Sequence, residues 1–464
     1  MNIFFLKSNP NKIHILDDSG QKIFESKHKE VELKEGDGHP EFVDAFNAYT
    51  PAATIEGDLV YVHYARVEDL RELKNLNMTV DGKICMARYG KIFRGNKIKN
   101  CQDAGAIGVI LFSDPGDVAA QGTEPENVYP NTIFLPGSGI QRGGTILYKG
   151  DPLSPGWPSV PNAYRIDPKD AKGMPSIPAQ PIGYDDAKIL LEHMGGPPVP
   201  ENWQGAIQNL TYHLGGSMKN QGYKVRLSTH NHFDNVKSSN VIGYINGAVE
   251  PDRYVILSNH RDAWGYGSVD PSSGTAQLME VARSFGEMMK KGWRPRRTIL
   301  LISWATEESG LQGSTEWVHH HTVKLMHRTV GLVNTDICVS GPIAKPQASP
   351  VFKDSVINAL KMADDPTTNG SRKYYEFWEE WTNLKNKGDH KKPYVKILGS
   401  GSDHAPFAFY ANIPAINLRF KDDTKKYPGV GQYPMYHTGF ETFYLVDKLI
   451  DPGFKIHKTC AQVS

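Results

Sequence analysis

In the second half of the chain, apolar residues form strand-length runs that alternate with stretches of helical periodicity. The runs are RYVILSNH (253–260), TILLISW (298–304) and TVGLVNTD (329–336). GTAQLMEVARSFGEMMKK (274–291) has apolar residues at helical spacing, and a second helix is predicted near 312–326. Strands and helices in this order predict right-handed crossovers and a parallel sheet. We therefore expect an α/β domain over residues 236–464.

The first half of the chain instead has short strand patterns that are separated by turn sequences. KIHIL, DDSG and KIF follow one another within residues 12–24, and GDLVYVHYA (57–65) is another strand pattern. Residues 83–114 are typical of strand, loop, helix and strand. Stretches rich in Gly and Pro, such as GDPLSPGWPSVP, occupy much of the remainder. This pattern predicts a loop-rich, β-containing domain over residues 1–235.

Composition places the chain among ordinary soluble proteins. A length of 464 residues predicts two or three domains, and 39% hydrophobic with 22% charged residues is unremarkable. The formal charge of +1 gives no general electrostatic reason to bind nucleic acid. The cysteines are too scattered for a CxxC metal site or a dense disulfide scaffold. They do not indicate whether the protein resides in an oxidising or a reducing compartment. They are Cys85, Cys101, Cys338 and Cys460.

The location of the protein is not decided by composition. No apolar stretch approaches the length of a membrane span, and the start, MNIFFLKSNP, is too short for the apolar part of a signal peptide. Glycosylation sequons begin at Asn77, Asn209 and Asn369. Such triplets arise often by chance and support secretion only weakly.

Acidic and histidine residues follow three of the predicted strands. The residues are His260 and Asp262 after the first strand, Glu307 and Glu308 after the second, Asp336 after the third, and Asp270 in the loop GYGSVDPSSG. The carboxyl ends of parallel strands meet at one edge of a sheet, and these side chains are donors that zinc accepts. Individually, each could be a structural histidine, a turn former, a helix cap or a solvated acid. Together they predict a metal site.

The adjacent acids Glu307 and Glu308 predict a division of labour. Neighbouring side chains diverge on both strands and helices, so the two carboxylates are poor partners for one function. One can bind metal while the other handles the proton of an attacking water.

At these residues the chain resembles the glutamate carboxypeptidase II and N-acetylated-α-linked acidic dipeptidase family, to which the transferrin receptor is related. The matching stretches are FRGNKIKN, GAVEPDRYVILSNHRDAWGYGSVDPSSG, GWRPRRTILLISWATEESGLQGSTEW, GSGSDHAPF and YPMYHTGFETFYLVD. The resemblance implies an α/β fold with a mixed, mostly parallel sheet of zinc-exopeptidase type and helices on both faces. It also implies a β-rich protease-associated (apical) domain and a peptidase that uses two zinc ions.

The resemblance assigns roles position by position. His260 and Asp336 resemble ligands of one zinc, Glu308 and His437 resemble ligands of the other, and Asp270 resembles the bridging carboxylate. His437 is assigned from the resemblance alone.

Two further acids take roles from the same comparison. Glu307 matches the general base, which takes a proton from the attacking water and delivers it to the departing amine. Asp262 matches a residue that orients the imidazole of His260. All five ligand residues and the base are retained, which favours an enzyme over a non-catalytic, receptor-like protein.

The implied substrate is a short peptide. Arg94 matches the arginine that binds the α-carboxylate of a C-terminal glutamate, a group that suits a guanidinium fork. The other residues assigned to substrate binding are Gly310, Leu311, Gly401, Ser402, Arg419 and Tyr436.

Three positions depart from the glutamate-specific pattern, namely Gly144, Ser402 and Asn417. Each stands where a polar or charged side chain of that pattern is expected. Loss of part of the positive patch predicts a relaxed preference for acidic peptides, so a broader aminopeptidase or dipeptidase remains the alternative. Glu316 matches one ligand of a structural calcium site, but His319 replaces a second acidic ligand.

Relatives of this type are single-pass membrane proteins that act outside the cell or in the secretory lumen. They have a membrane anchor and an initial peptidase segment before the point where this chain begins, and a helical homodimerisation domain beyond TCAQVS. Neither region is present in this sequence. Three explanations remain open: a fragment, an alternative product or an incomplete gene model. For this exact chain, exposure of a normally covered face predicts reduced stability or self-association.

Overall fold

The computed structural model describes residues 2–6, 9–38, 42–368, 370–385, 394–428 and 431–464. Strands in the first half are β1 (Asn2–Leu6), β2 (Lys12–Leu16), β3 (Lys22–Glu25), β4 (Asn47–Ala48), β5 (Ala53–Gly57), β6 (Leu59–Tyr61), β7 (Ile84–Arg88), β8 (Gly108–Phe112), β9 (Gly143–Gly144), β10 (Ala179–Ile182), β11 (Lys224–Thr229) and β12 (Asn231–Asn235). Helices there are α1 (Val67–Asn75), α2 (Arg94–Asp103), α3 (Pro115–Val118) and α4 (Tyr184–Glu192).

Two four-stranded sheets organise this half. β6, β7, β8 and β10 form a parallel sheet, and β2, β3, β5 and β11 form an antiparallel one. The runs ICMAR in β7 and GVILF in β8 are buried throughout, as expected for strands covered on both faces. The strand–helix–strand pattern predicted for residues 83–114 corresponds to β7, α2 and β8.

The second half continues the numbering in chain order. Its strands are β13 (Val241–Ile245), β14 (Glu250–His260), β15 (Arg297–Trp304), β16 (Thr329–Asn334), β17 (Ile343–Ala344), β18 (Gln347–Ala348), β19 (Ala415–Asn417) and β20 (Phe420–Lys421). Its helices are α5 (Ser272–Lys290), α6 (Gln312–Arg328), α7 (Lys353–Met362), α8 (Tyr374–Lys385) and α9 (Lys455–Val463).

A six-stranded sheet in the order β13-β15-β14-β16-β19-β18 carries the predicted site. The four central strands are parallel, and the two edge strands are antiparallel to their neighbours. Successive strand residues point to opposite faces. Ile256 therefore packs in one apolar cluster with Val318 of α6, while Leu257 packs in another with Leu278 of α5. The mostly parallel sheet with helices on both faces is confirmed.

A disulfide joins Cys338 to Cys460 across 122 residues of sequence. It connects the segment after β16 to α9, and both residues are fully buried in one apolar cluster. Cys85 and Cys101 are buried free thiols. The wide spacing of the cysteines gave no basis for predicting this pairing.

A buried ion pair fastens the first half to the second. The guanidinium of Arg142 binds both carboxylate oxygens of Glu30 at 2.7 and 2.9 Å, and Glu30 also accepts the Gly439 N–H at 2.8 Å. Burial alone would raise the pKa of Glu30, but the charge and hydrogen bonds of Arg142 outweigh it and lower that pKa. The backbone N–H of Arg142 donates to the carbonyl of His437 at 3.1 Å, so the Arg142–Glu30 ion pair lies next to the predicted site.

An apolar groove of about 830 Å³ lies between α5 and α9. Its lining includes Phe285, Met288, Phe443 and Phe454, and Phe443 is 65% exposed. An exposed apolar surface of this kind supports the predicted self-association.

The disulfide prediction concerns stability. Replacing both Cys338 and Cys460 with Ala should lower the free energy of unfolding by about 2–4 kcal/mol, because the unfolded chain loses a long closed loop. Chemical denaturation with and without reductant measures the change. Reductant should destabilise the wild type and leave the double variant unaffected, whereas an indifferent wild type would contradict the crosslink.

The groove prediction concerns association. Light scattering of the wild type should show a mass that rises with protein concentration, and Phe443→Lys should reduce that rise by placing charge in the groove. Val351→Lys is the matched control, because Val351 is 70% exposed and lies outside the groove lining. A wild type that stays monomeric at high concentration rules out this surface as a self-association site.

Candidate metal centre

The first group of candidate ligands forms where β14 ends. His260 is the last residue of β14 and is buried. Its Nε2 lies 3.0 Å from Oδ1 of Asp336, just after β16, and 3.3 Å from Oδ1 of Asp270. Because β14 and β16 are parallel neighbours, their carboxyl ends bring His260 and Asp336 together.

The second group shares Asp270 with the first. Nε2 of His437 lies 3.1 Å from Oε1 of Glu308 and 3.4 Å from Oδ2 of Asp270. In each group, the three possible ligand atoms lie within 4.8 Å of one another. Asp270 thus directs one oxygen to each group, as a bridging carboxylate would.

The donor atoms fit a site for divalent cations. Asp270 Oδ1, Glu308 Oε1 and His437 Nε2 are buried without a hydrogen-bond partner among the described residues. Burial opposes charge on His437, but Glu308 and Asp270 outweigh it and raise the pKa of the imidazole to about 9. Burial also raises the pKa of Glu308. The pocket therefore concentrates negative charge, and its oxygen and nitrogen donors suit zinc.

Glu441 holds the second group together and was missed by the sequence analysis. One of its carboxylate oxygens accepts the backbone N–H groups of Val269 and Asp270, and the other accepts the N–H of His437 at 3.1 Å. Burial raises the pKa of Glu441 to about 8. The only sequence signal was an acid in the otherwise apolar stretch GFETFYLV, which is a weak indication of a positioning role.

Asp262 supports both the imidazole and the acidic turn. The Nδ1 of His260 lies 2.9 Å from the main-chain oxygen of Asp262 and 3.6 Å from its carboxylate. That carboxylate accepts the N–H groups of Glu307 at 3.0 Å and Glu308 at 3.1 Å. Asp262 therefore couples the orientation of His260 to the turn that carries both glutamates.

Glu307 is adjacent to the candidate ligand Glu308, but its carboxylate belongs to neither ligand group. Its side chain is half-buried, and no described residue hydrogen-bonds its carboxylate. Burial raises the pKa of Glu307 well above its usual range, and the nearby charges of Asp336 and Glu308 add to that increase. An unbound carboxyl with a raised pKa can accept and return a proton.

The structure brings Arg94 and Tyr436 to His437. The Tyr436 ring stacks on the His437 imidazole with centroids 3.6 Å apart, and the Arg94 guanidinium lies 5.7 Å from the Tyr436 ring centre. Arg94 donates to the carbonyl of Gly144 at 3.1 Å, while its Nε is buried without a partner among the described residues.

The glycines of β9 make room for this arrangement. A Cβ on Gly143 would lie 2.4 Å from Cζ of Arg94, and a Cβ on Gly144 would lie 2.8 Å from the main-chain oxygen of Glu308. Gly143 has φ +152°, which also favours glycine. The departure noted at Gly144 therefore accompanies a close approach of backbones beside a candidate ligand.

The remaining predicted substrate residues differ in accessibility. The Gly310 carbonyl accepts a hydrogen bond from the Gly150 N–H at 2.8 Å. Leu311, the residue before α6, is buried and has φ +57°. A Cβ on Gly401 would meet nothing within 4 Å, so Gly401 adjoins open space. Ser402 is buried and accepts a hydrogen bond from Asn334 at 2.9 Å, which makes its hydroxyl part of an internal network.

Arg419 lies among other cations. The Lys345 N–H donates to the Arg419 carbonyl, and β17 pairs with β20, which contains Lys421. Lys345 and Lys421 therefore lie near Arg419. Burial lowers the pKa of Lys421 to about 8, and the positive charges of Arg419, Lys396 and Lys345 contribute to the decrease. Positive charge around Arg419 is therefore retained although Asn417 is neutral.

Asp403 is a second acid that the sequence analysis missed, although it lies within the motif GSGSD. Its Oδ1 accepts a hydrogen bond from Ser314, and its Oδ2 is buried without a partner among the described residues. Burial raises the pKa of Asp403 to about 7.

Glu316, the candidate calcium ligand, fastens a loop of the first half to α6. Its two carboxylate oxygens accept the N–H groups of Asp151 and Ser159, each at 2.7 Å. Burial raises the pKa of Glu316 to about 7. Neither of the metal-ligand groups found among the described residues includes Glu316. Calcium binding stays a prediction.

Comparison with known families divides the chain into two matched regions. Residues 240–448 match the family model of peptidase family M28, and residues 55–145 match the PA domain. Within the described residues, no helix is both long and apolar enough to cross a membrane.

Curated relatives match nearly the whole chain. Aminopeptidase NAALADL1 from Mus musculus is 39% identical over 98% of this chain and 62% of its own length. A glutamate carboxypeptidase 2 homolog from Caenorhabditis elegans is 38% identical over 98% and 60%, respectively. Transferrin receptor protein 2 from Homo sapiens is 32% identical over 96% and 51%. The chain thus spans between about half and five-eighths of the length of these relatives.

Solved structures share the fold at low sequence identity. A zinc aminopeptidase from Bacillus subtilis has a TM-score of 0.51 at 16% identity, covering 100% of this chain and 83% of that structure. A peptidase M28 precursor from Shewanella amazonensis has a TM-score of 0.53 at 16% identity, covering 100% and 81%. With matches to the PA domain and to peptidase family M28 in one chain, the protein is similar to the glutamate carboxypeptidase 2 homologues, aminopeptidase NAALADL1 and transferrin receptor protein 2.

Proposed function

We propose that this chain is the metal-binding and catalytic part of a dizinc exopeptidase that hydrolyses short peptides. The observation that carries the proposal is Asp270, whose two oxygens face His260 with Asp336 on one side and His437 with Glu308 on the other. This sharing supports two adjacent cation sites.

Bound zinc would supply Lewis acidity to the scissile carbonyl and to the attacking water. His260, Asp270 and Asp336 would hold one ion, and Asp270, Glu308 and His437 would hold the other. Asp262 and Glu441 keep these side chains in place through the backbone contacts described above.

Glu307 is proposed as the general base. Its unbound, half-buried carboxyl and raised pKa suit removal of a proton from water and its return to the leaving amine. Glu308, which faces His437, cannot serve this function while it binds metal. The adjacent glutamates then have the separate duties that their sequence positions predict.

The proposed substrate carries a free C-terminal carboxylate, with glutamate release as the specific form of the activity. Arg94 supports this proposal because its buried guanidinium has an unpartnered Nε beside Tyr436 and His437. An aminopeptidase is the second candidate, favoured by the similarity to the aminopeptidase NAALADL1. A non-catalytic receptor-like protein, suggested by the similarity to transferrin receptor 2, would have no need of an unbound Glu307 beside two ligand groups.

We place the protein in the extracellular space or the secretory lumen. The buried Cys338–Cys460 disulfide supports this location, because disulfides persist in oxidising compartments. Glycosylation at the sequons, membrane anchorage and homodimer formation of the whole protein belong to the same proposal.

The division of roles between the glutamates can be tested with two amide variants. Glu307→Gln should retain about two zinc ions per chain while kcat falls by about 10²–10⁴-fold, because it removes proton transfer alone. Glu308→Gln should lose bound zinc together with activity. Metal analysis and peptide hydrolysis measure both effects, and zinc loss in Glu307→Gln would overturn its assignment as base.

The preferred terminus can be tested with N-acetyl-aspartyl-glutamate, unblocked dipeptides and their C-terminal amides. Arg94→Met should lower kcat/KM for free-carboxylate peptides by about 10–100-fold through loss of a charged hydrogen bond, with little effect on the amides. Equal effects on both sets would exclude carboxylate recognition by Arg94. A wild type that cleaves the amides as readily as the acids would establish the aminopeptidase alternative.

A further inference from the structure

His437 has a backbone conformation that is uncommon for a residue other than glycine. Its φ is +62°, in the left-handed region, and such a conformation persists only where the surrounding structure supports it. Hydrogen bonds at both backbone groups supply that support. The N–H of His437 donates to the carboxylate of Glu441, and its carbonyl accepts the backbone N–H of Arg142, both at 3.1 Å. The direction of the imidazole therefore depends on residues outside the two candidate ligand groups.

Arg142 also contacts the side chain of His437. Nδ1 of His437 lies 3.1 Å from the main-chain oxygen of Arg142 and 3.4 Å from a guanidinium nitrogen of Arg94. A guanidinium has no acceptor atom, so of these two neighbours only the Arg142 carbonyl can accept the Nδ1 proton. That hydrogen bond leaves the electron pair of Nε2 free on the side that faces Glu308 and Asp270. One residue of the first half thus holds both the carbonyl and the ring of His437.

The side chain of Arg142 fixes this main chain in turn. Its fully buried guanidinium donates to the Ile140 carbonyl at 3.1 Å, in addition to both carboxylate oxygens of Glu30. Glu30 also accepts the backbone N–H groups of Ile140 at 3.3 Å and Gly439 at 2.8 Å. Gly439 is two residues beyond His437. The ion pair therefore holds the main chain on both sides of the contact between the two halves.

An ion pair that only stabilises packing is the ordinary alternative. Arg88 is an example in the same half, because its side chain is 7% exposed and donates to the carboxylate of Asp117 at 2.7 Å. Among the hydrogen bonds of the described residues, none joins Arg88 to a candidate metal ligand. Arg142 differs because its N–H and its carbonyl both bind one ligand residue, an arrangement that a purely structural pair does not require.

We propose that Arg142 is a positioning residue for His437, and that the Glu30–Arg142 pair couples cation binding by His437 to the packing of the two halves. This inference rests on the proposed binding of two zinc ions. Such coupling is reciprocal, so a cation held by His437 should also strengthen the contact that Arg142 makes. Within the described part of the chain, no hydrogen bond joins the pair to His260 or Asp336, so their ion should depend on it much less.

Titration of the full chain with zinc, in competition with a chromophoric chelator, tests the positioning role. The double variant Glu30→Gln/Arg142→Met removes both charges, so that no unpaired carboxylate is left buried. It should bind one of two zinc ions about 10–100-fold more weakly and the other with little change, as expected when a residue that orients a metal-binding histidine is lost. Arg142→Lys, which retains a charged partner for Glu30, should keep an intermediate affinity.

Two further variants separate ligand orientation from stability. Arg88→Met is the matched control, because it also removes a buried arginine paired with an acid in the first half. It should lower the melting temperature and leave both zinc affinities unchanged. His437→Ala identifies the affected ion, because adding Glu30→Gln/Arg142→Met to it should cause no further loss of zinc affinity. Independent structural effects would instead add.

Hydrogen exchange measures the reciprocal effect. Added zinc should slow amide exchange in residues 139–145 of the wild type but not of His437→Ala, because the Arg142 N–H donates to the His437 carbonyl. Residues 224–229 of β11, which pairs with β2 and β5, should show no effect of zinc.

Unchanged zinc affinities in Glu30→Gln/Arg142→Met would overturn the positioning role, as would zinc protection of residues 139–145 that persists in His437→Ala. A wild type that binds two zinc ions but hydrolyses no peptide would count against the proposed enzyme. Weaker zinc binding in the double variant would support the role of Arg142 in that case as well.

Discussion

Burial of several acids around Asp270 is the constraint on which the rest of the structure depends. A carboxylate removed from water is costly unless positive charge or hydrogen bonds compensate for it. Here, both oxygens of Asp270 face imidazoles, and Asp336 and Glu308 complete the two groups. The parallel sheet brings His260 and Asp336 together, but His437 comes from a distant loop and requires the Glu441 carboxylate to hold it in position.

The first half of the chain contributes directly to the site. Tyr49 donates to the Ser309 carbonyl at 2.7 Å, and Gly150 binds the carbonyl of Gly310. Both contacts fix the turn that follows the adjacent glutamates. The Arg142–Glu30 pair meets the loop that carries His437. The first half of the chain is therefore part of the structural support of the candidate metal centre.

The sequence predicts the structure well where the pattern of apolar residues along the chain determines the strands, the helices and the polar residues at the strand ends. Strand-length apolar runs predicted β14, β15 and β16, and the polar residues that follow them, with Asp270 of the next loop, predicted a metal site. Three of these residues, His260, Asp270 and Asp336, lie together in one candidate ligand group. The helical spacing in residues 274–291 predicted α5 and its packing against the sheet. These features depend on local pattern and on the rule that sites form at the carboxyl edge of parallel strands.

The features that were missed depend on contacts between distant segments. His437 could be assigned only by resemblance, because no strand end places it. Glu441 and Asp403 act through backbone and hydroxyl groups that the sequence does not pair with them. Asn417 predicts a depleted positive patch, and the structure places Lys345 and Lys421 near Arg419. Such compensation appears only when the strands are placed in space.

The Cys338–Cys460 bond has a consequence for how the protein matures. Cys338 lies two residues beyond Asp336, so the covalent link limits the positions open to that carboxylate before any cation arrives. Oxidation of this cysteine pair therefore restricts one ligand segment by anchoring it to α9. A chain synthesised in a reducing environment would have to assemble the same pocket from freely moving segments, at a greater cost in conformational entropy.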